Sequence, residues 1–141
     1  MEISINYVAV ILAALSTMVV GSIWYTPKVF GNLWMKLGNI KPDPTFNNKK
    51  AAYLYIGAFL TSLVTAFVLA YFTGIVNRVS SDGFTSAALL SGLLGWLGFT
   101  AARIHMHDSF ERRRKKLTLL NVTHEFVTIM IMALIIGLMG A

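Results

Sequence analysis

The chain has no cysteine, which excludes disulfides, thiol nucleophiles and thiolate metal sites. Charge is also scarce: Asp and Glu total 6, and charged residues are 13% of the chain against 56% hydrophobic. Soluble domains run nearer a quarter charged, so this is the composition of a membrane protein. No Gly-rich phosphate loop occurs, and no Ser, His and Asp set has the context of a hydrolase. His124-Glu125 lacks a second histidine four residues on and is not a zincin motif. These absences leave no catalytic residue, no metal site and no cofactor to expect.

The charges are clustered. Three windows, Ile3–Pro27, Ala51–Asn77 and Gly83–Ala102, carry none, and Leu117–Ala141 is interrupted only by His124 and Glu125. Each is long enough to cross about 30 Å of hydrocarbon. The expected fold is all-α: one membrane domain over 1–141, a four-helix bundle with spans at about 5–25, 51–73, 84–102 and 117–139. The first run leads with Glu2 and has no small-residue cleavage pattern, so it reads as a retained span rather than a signal peptide.

Between the first two spans, Trp24 and Tyr25 are headgroup-level aromatics, and Thr26 and Pro27 suit an N-cap and first helical position. The spacing of Val29, Phe30, Leu33, Trp34 and Leu37 predicts a short helix over 27–37 that stops at Gly38 and either lies in the interface or packs on the bundle. Further along, Asp43-Pro44 suits the start of the second span, Gly74 its end, and Ser81 or Asp82 the cap of the third. Small residues Ala9, Ala13 and Ser16 in the first span, and Gly92, Gly95 and Gly98 in the third, invite close helix packing.

Eleven Lys and Arg residues fall in the first and third connections, against Arg78 alone in the second. The positive-inside rule then puts both basic connections in the cytoplasm and both termini outside, as in the plasma membrane of a prokaryote. The run Arg112, Arg113, Arg114, Lys115 and Lys116 is a candidate grip on anionic headgroups, and membrane lipids, not nucleic acid, are the partners that a net charge of +6 implies here. The segment 103–116 reads as a solvated loop in which Asp108 and Glu111 temper these cations. His105 and His107 are spaced wrongly for one helical metal face.

In the fourth span Thr118, Asn121, Glu125 and Thr128 form one polar stripe bordered by His124. A charge in a span is costly, which makes these five residues the candidate site for a small polar or cationic ligand. The alternatives are a structural or lipid-organising protein and, with weaker support, an intramembrane enzyme using His124 and Glu125. A homo-oligomer fits the first reading.

The motif GxxWYxPxxFGxxWM at Gly21–Met35, followed by WLGF at Trp96–Phe99, FExR at Phe110–Arg113 and LxLLN at Leu117–Asn121, resembles the membrane-protein family DUF1761. The resemblance implies a four-helix membrane domain with no established activity. Asn121 and His124 match the family pattern, whereas Glu125 and the charged residues around FExR depart from it.

Overall fold

Asn6 starts the first helix, α1 (Tyr7–Trp24), by accepting a hydrogen bond from Ala9 N–H at 3.1 Å. In this computed structural model, which describes residues 3–140, all the secondary structure is helical. A short α2 (Gly31–Gly38) precedes α3 (Asn48–Val79) and α4 (Phe84–Gly95). A π-helical stretch, Trp96–Ala101, joins α4 to α5 (Ala102–Phe110), and α6 (Lys115–Met139) ends the described chain. Four helical stretches are long and apolar enough to cross a membrane: Tyr7–Trp24, Asn48–Val79, Phe84–Phe110 and Lys115–Met139.

The long helices pack in sequence, α1 on α3, α3 on α4, α4 on α6 and α6 back on α1. Their core is apolar and rich in alanine: Val10, Ala13 and Ala14 of α1, Ala66, Leu69 and Ala70 of α3, Met132, Ala133 and Ile136 of α6. Every buried residue of α3 lies between Ala66 and Gly74, and none of α1 lies beyond Thr17. The packing of α1 and α3 is therefore tight in one half only. In the other half Tyr53, Leu54, Tyr55 and Ile56 of α3 are exposed, and the space between α1, α3 and α6 opens into a groove.

Glycine matters where α4 meets α6. A Cβ on Gly137 would lie 2.8 Å from Thr85 Cα, and one on Gly92 would lie 2.9 Å from Ala133 Cβ. The predicted Gly92, Gly95 and Gly98 face holds only at its first member: nothing comes within 4 Å of a Cβ on the other two. The wider π turn begins just after Gly95, and it rotates the following residues off the packed face. There Trp96 donates its indole N–H to Val122 O at 3.0 Å and sets its ring 4.8 Å from Phe126.

The connections differ from expectation in their caps. Pro27 cannot supply the N–H that Ile23 O would receive in a continuing helix. Thr26 fills that place, with its N–H at 3.2 Å and its hydroxyl at 2.8 Å, so its side chain finishes α1 instead of capping α2. A tight turn follows, and α2 begins at Gly31 rather than Pro27. A Cβ on Gly31 would strike Tyr25 O and sit 2.8 Å from Thr26 O, which is why the position takes glycine. Asn39, at φ 51°, ends α2 in the left-handed conformation.

The start of α3 is capped by Asn47, whose side chain accepts from Lys50 N–H at 3.0 Å. Asp43 instead turns back on Thr45, whose hydroxyl and amide hold its carboxyl below the usual range. Gly74 does not end α3. It lies inside the helix, where a Cβ would come 2.5 Å from Ile3 Cγ2. Ser80 and Asp82 bond to each other, leaving Gly83 at φ 89° to begin α4 without a side-chain cap.

The largest correction concerns 103–116. Most of it is helix, because nothing between Ala102 and Phe110 breaks the winding, and the stretch from Phe84 runs 27 residues without a gap. It ends at Arg112, φ 54°, with Arg112 N–H on Ser109 O at 3.2 Å and Arg113 N–H on Asp108 O at 2.9 Å. That pair of bonds is a Schellman stop, usually built on glycine.

Candidate functional site

Two adjoining grooves occupy the loosely packed half. The first, about 670 Å³, lies between α1, α3 and α6, and Tyr25, Ser62, Thr65, His124, Glu125 and Thr128 are among its lining residues. The second, about 850 Å³, lies between α2, α5 and α6 and reaches the basic turn. Trp34, Asp108, Asn121 and Arg112–Arg114 line it. Tyr25 and Glu125 belong to both, so their side chains form the wall between the two.

His124 is wedged against the end of α1. Its ring lies 5.6 Å from that of Trp24 and 5.0 Å from that of Tyr25, and Nδ1 is 3.4 Å from Glu125 Oε1. Trp24 in turn stacks on Phe30 at 4.5 Å, and Tyr25 meets Trp34 edge-on at 5.1 Å. The aromatic residues read from sequence as surface markers thus join one cluster around the histidine. The fold brings them there because α1 stops at Pro27 and the chain doubles back through Gly31.

The polar stripe of α6 divides between environments. Thr118 is buried and donates to Asp108 Oδ2 at 2.6 Å. Asn121 lines the second groove, and its Oδ1 is buried without a hydrogen-bond partner. Glu125 keeps 39% of its side-chain surface exposed, while His124 keeps 13%. Thr128 is 7% exposed, and both its Oγ1 and His124 Nε2 are buried without partners. An unpartnered buried polar group is costly unless water or a ligand satisfies it.

Of the basic run, Arg113 is committed, with Nε 2.6 Å from Glu111 and 3.7 Å from Asp108. Arg112, Arg114, Lys115 and Lys116 are exposed. His105 and His107 project from α5 into exposed positions. Among the described residues no three His, Cys, Asp or Glu side chains converge as metal ligands would.

Two parts of the site escaped the sequence reading. Asp108 is buried, not solvated, because its partner Thr118 lies ten residues on, across a turn. The α3 wall of the first groove carries Thr61, Ser62 and Thr65, whose spacing places them on one helix face. That spacing is the signal that would have found them.

Phe30, just before α2, and Trp34 and Leu37 within it are half-buried, but Val29 and Leu33 are 46% and 44% exposed. No curated protein and no solved structure matches the chain. The profile of one family, described as a protein of unknown function, DUF1761, matches residues 8–137. That match spans all four long helices together with the Trp24–Trp34 cluster, and the chain belongs to the DUF1761 family.

Proposed function

We propose that this protein is a four-span helical membrane bundle that binds or passes a small polar or cationic ligand through the groove between α1, α3 and α6. The observation that carries the reading is a carboxylate, Glu125, on a helix of spanning length, facing a groove rimmed with hydroxyls. An ionisable residue inside a span is expensive and is expected to face a wet interior. At about 670 Å³ the groove is within the size range of small-molecule sites. Thr118, the first residue of the stripe, serves instead to anchor Asp108.

The placement in the membrane follows from charge. The eleven basic residues of the first and third connections belong on the cytoplasmic side, with both termini outside. The helix α2 then lies at the cytoplasmic interface, with Val29 and Leu33 toward lipid and Phe30, Trp34 and Leu37 toward α6. A second reading, an anionic-lipid-organising role, is favoured by the exposure of Arg112, Arg114, Lys115 and Lys116 beside the second groove.

The lack of native cysteine makes the test direct. In native membranes Thr65→Cys, on the groove wall, should react with a water-soluble maleimide. Val64→Cys, 65% exposed on α3 but outside the lining, should not. If both are equally unreactive, lipid fills the groove and the ligand reading fails.

A further inference from the structure

The hydrogen-bonding sense of the first groove defines the chemistry of its occupant, which deepens the proposal above and rests on it. Threonine hydroxyls facing the groove spend their hydrogens on their own helices. Thr17 donates to Ala14 O at 2.8 Å, Thr26 to Ile23 O at 2.8 Å, Thr61 to Ala58 O at 2.9 Å and Thr65 to Thr61 O at 3.1 Å. A hydroxyl has one hydrogen and two lone pairs. Ser62 Oγ lies 2.8 Å from Thr17 Oγ1, and since the Thr17 hydrogen is already used, Ser62 is the donor there. The five side chains therefore have lone pairs, not hydrogens, left to offer.

His124 Nδ1 lies 3.4 Å from Glu125 Oε1, and its Nε2 is one of the buried atoms without a partner. Ser22, Tyr25, Tyr55 and Thr128 have hydroxyls that turn to suit either sense. No Lys, Arg, Trp, Asn or Gln lines the groove. It thus contains one acidic side chain, a surplus of hydroxyl acceptors and no Lys, Arg or amide donor.

We propose that the occupant is an organic cation bearing N–H donors, an alkylammonium or a guanidinium, with its charge against Glu125 and its hydrogens on the hydroxyl oxygens of α1 and α3. An anion would meet lone pairs and a carboxylate. A quaternary ammonium would satisfy the charge and leave the acceptors unpaired, a mismatch that commonly costs far more than a misfit of size. The groove, at about 670 Å³, is also larger than a bare metal ion needs.

The test is calorimetric titration of the purified full chain in detergent with methylguanidinium, propylammonium and tetramethylammonium. The first two should bind at least tenfold more tightly than the third. Two variants at exposed positions localise and explain the effect. Thr65→Trp, which fills the groove, should abolish binding of all three. The double variant Thr61→Val with Thr65→Val should shrink the preference for N–H cations to threefold or less. If all three cations bind alike and Thr65→Trp abolishes them, the groove binds ligand but the donor requirement is wrong. A preference that survives the double valine variant also overturns that requirement. If none binds, or Thr65→Trp changes nothing, both this inference and the groove reading are lost.

Discussion

Thr118 donates its hydroxyl hydrogen to the buried carboxylate of Asp108 at 2.6 Å, and this bond ties the end of α5 to the start of α6. Arg113 stands on the other carboxylate oxygen at 3.7 Å, so the acid is held between a neutral donor and a cation. The turn that carries the basic run is thereby fixed to the helix that carries Glu125.

Breaking that bond should be costly from either side. Asp108→Ala or Thr118→Val should each lower stability by about 1.5–3 kcal/mol, the range for hydrogen bonds to charged groups. The double variant should lose less than the sum, because the second change removes a group already orphaned. Thermal unfolding in detergent of the four proteins measures the coupling, and strict additivity would show that the two residues act apart.

Arg112 holds a left-handed backbone at φ 54° without glycine's freedom. Replacing it with glycine should raise stability by about 1 kcal/mol, whereas Arg112→Val, β-branched, should lower it. The same melts report both. A loss with glycine would mean that the arginine side chain contributes more than its backbone costs.

The glycines of α4 and α6 separate cleanly. Gly137→Ala places a methyl 2.8 Å from Thr85 Cα, a backbone atom that cannot turn aside, and should cost about 1–3 kcal/mol. Gly95→Ala and Gly98→Ala meet nothing within 4 Å and should be neutral or stabilising. Equal losses at all three sites would mean that a partner covers the outer face of α4.

Orientation is open to labelling in intact cells. A cysteine in place of Arg78 should react with an impermeant reagent from outside, and one in place of Lys49 or Lys115 should not, given eleven basic residues on the second pair's side. The reverse pattern inverts the proposed topology.

Four helices of spanning length and apolarity were legible because hydrocarbon imposes a length and a composition that few other environments demand. What the pattern missed was set by pairing rather than by composition. Asp108 looks solvated among arginines until a helix puts it within reach of Thr118. Gly74 looks like a stop until Ile3 is seen to pass over it. Tyr25 reads as a surface ring, yet it becomes a groove wall because Pro27 and Gly31 fold the chain back on itself. The stripe on α6 was visible because charge in a span stands out. Its hydroxyl counterpart on α3 was not, since threonine and serine hide their polarity by bonding their own helix.

The one-sided packing of α3 also has a mechanical consequence. Its first residue packed against the core is Phe59, and Tyr55, on the groove wall, stands four residues before it. At 1.5 Å per residue that is a lever of about 6 Å. Rocking it through roughly 10° about the anchored end would carry Tyr55 by about 1 Å, less than the width of a water molecule. The groove wall at Tyr55 is thus stiff on that scale, steadied by Phe59 and by the bond between Ser62 and Thr17.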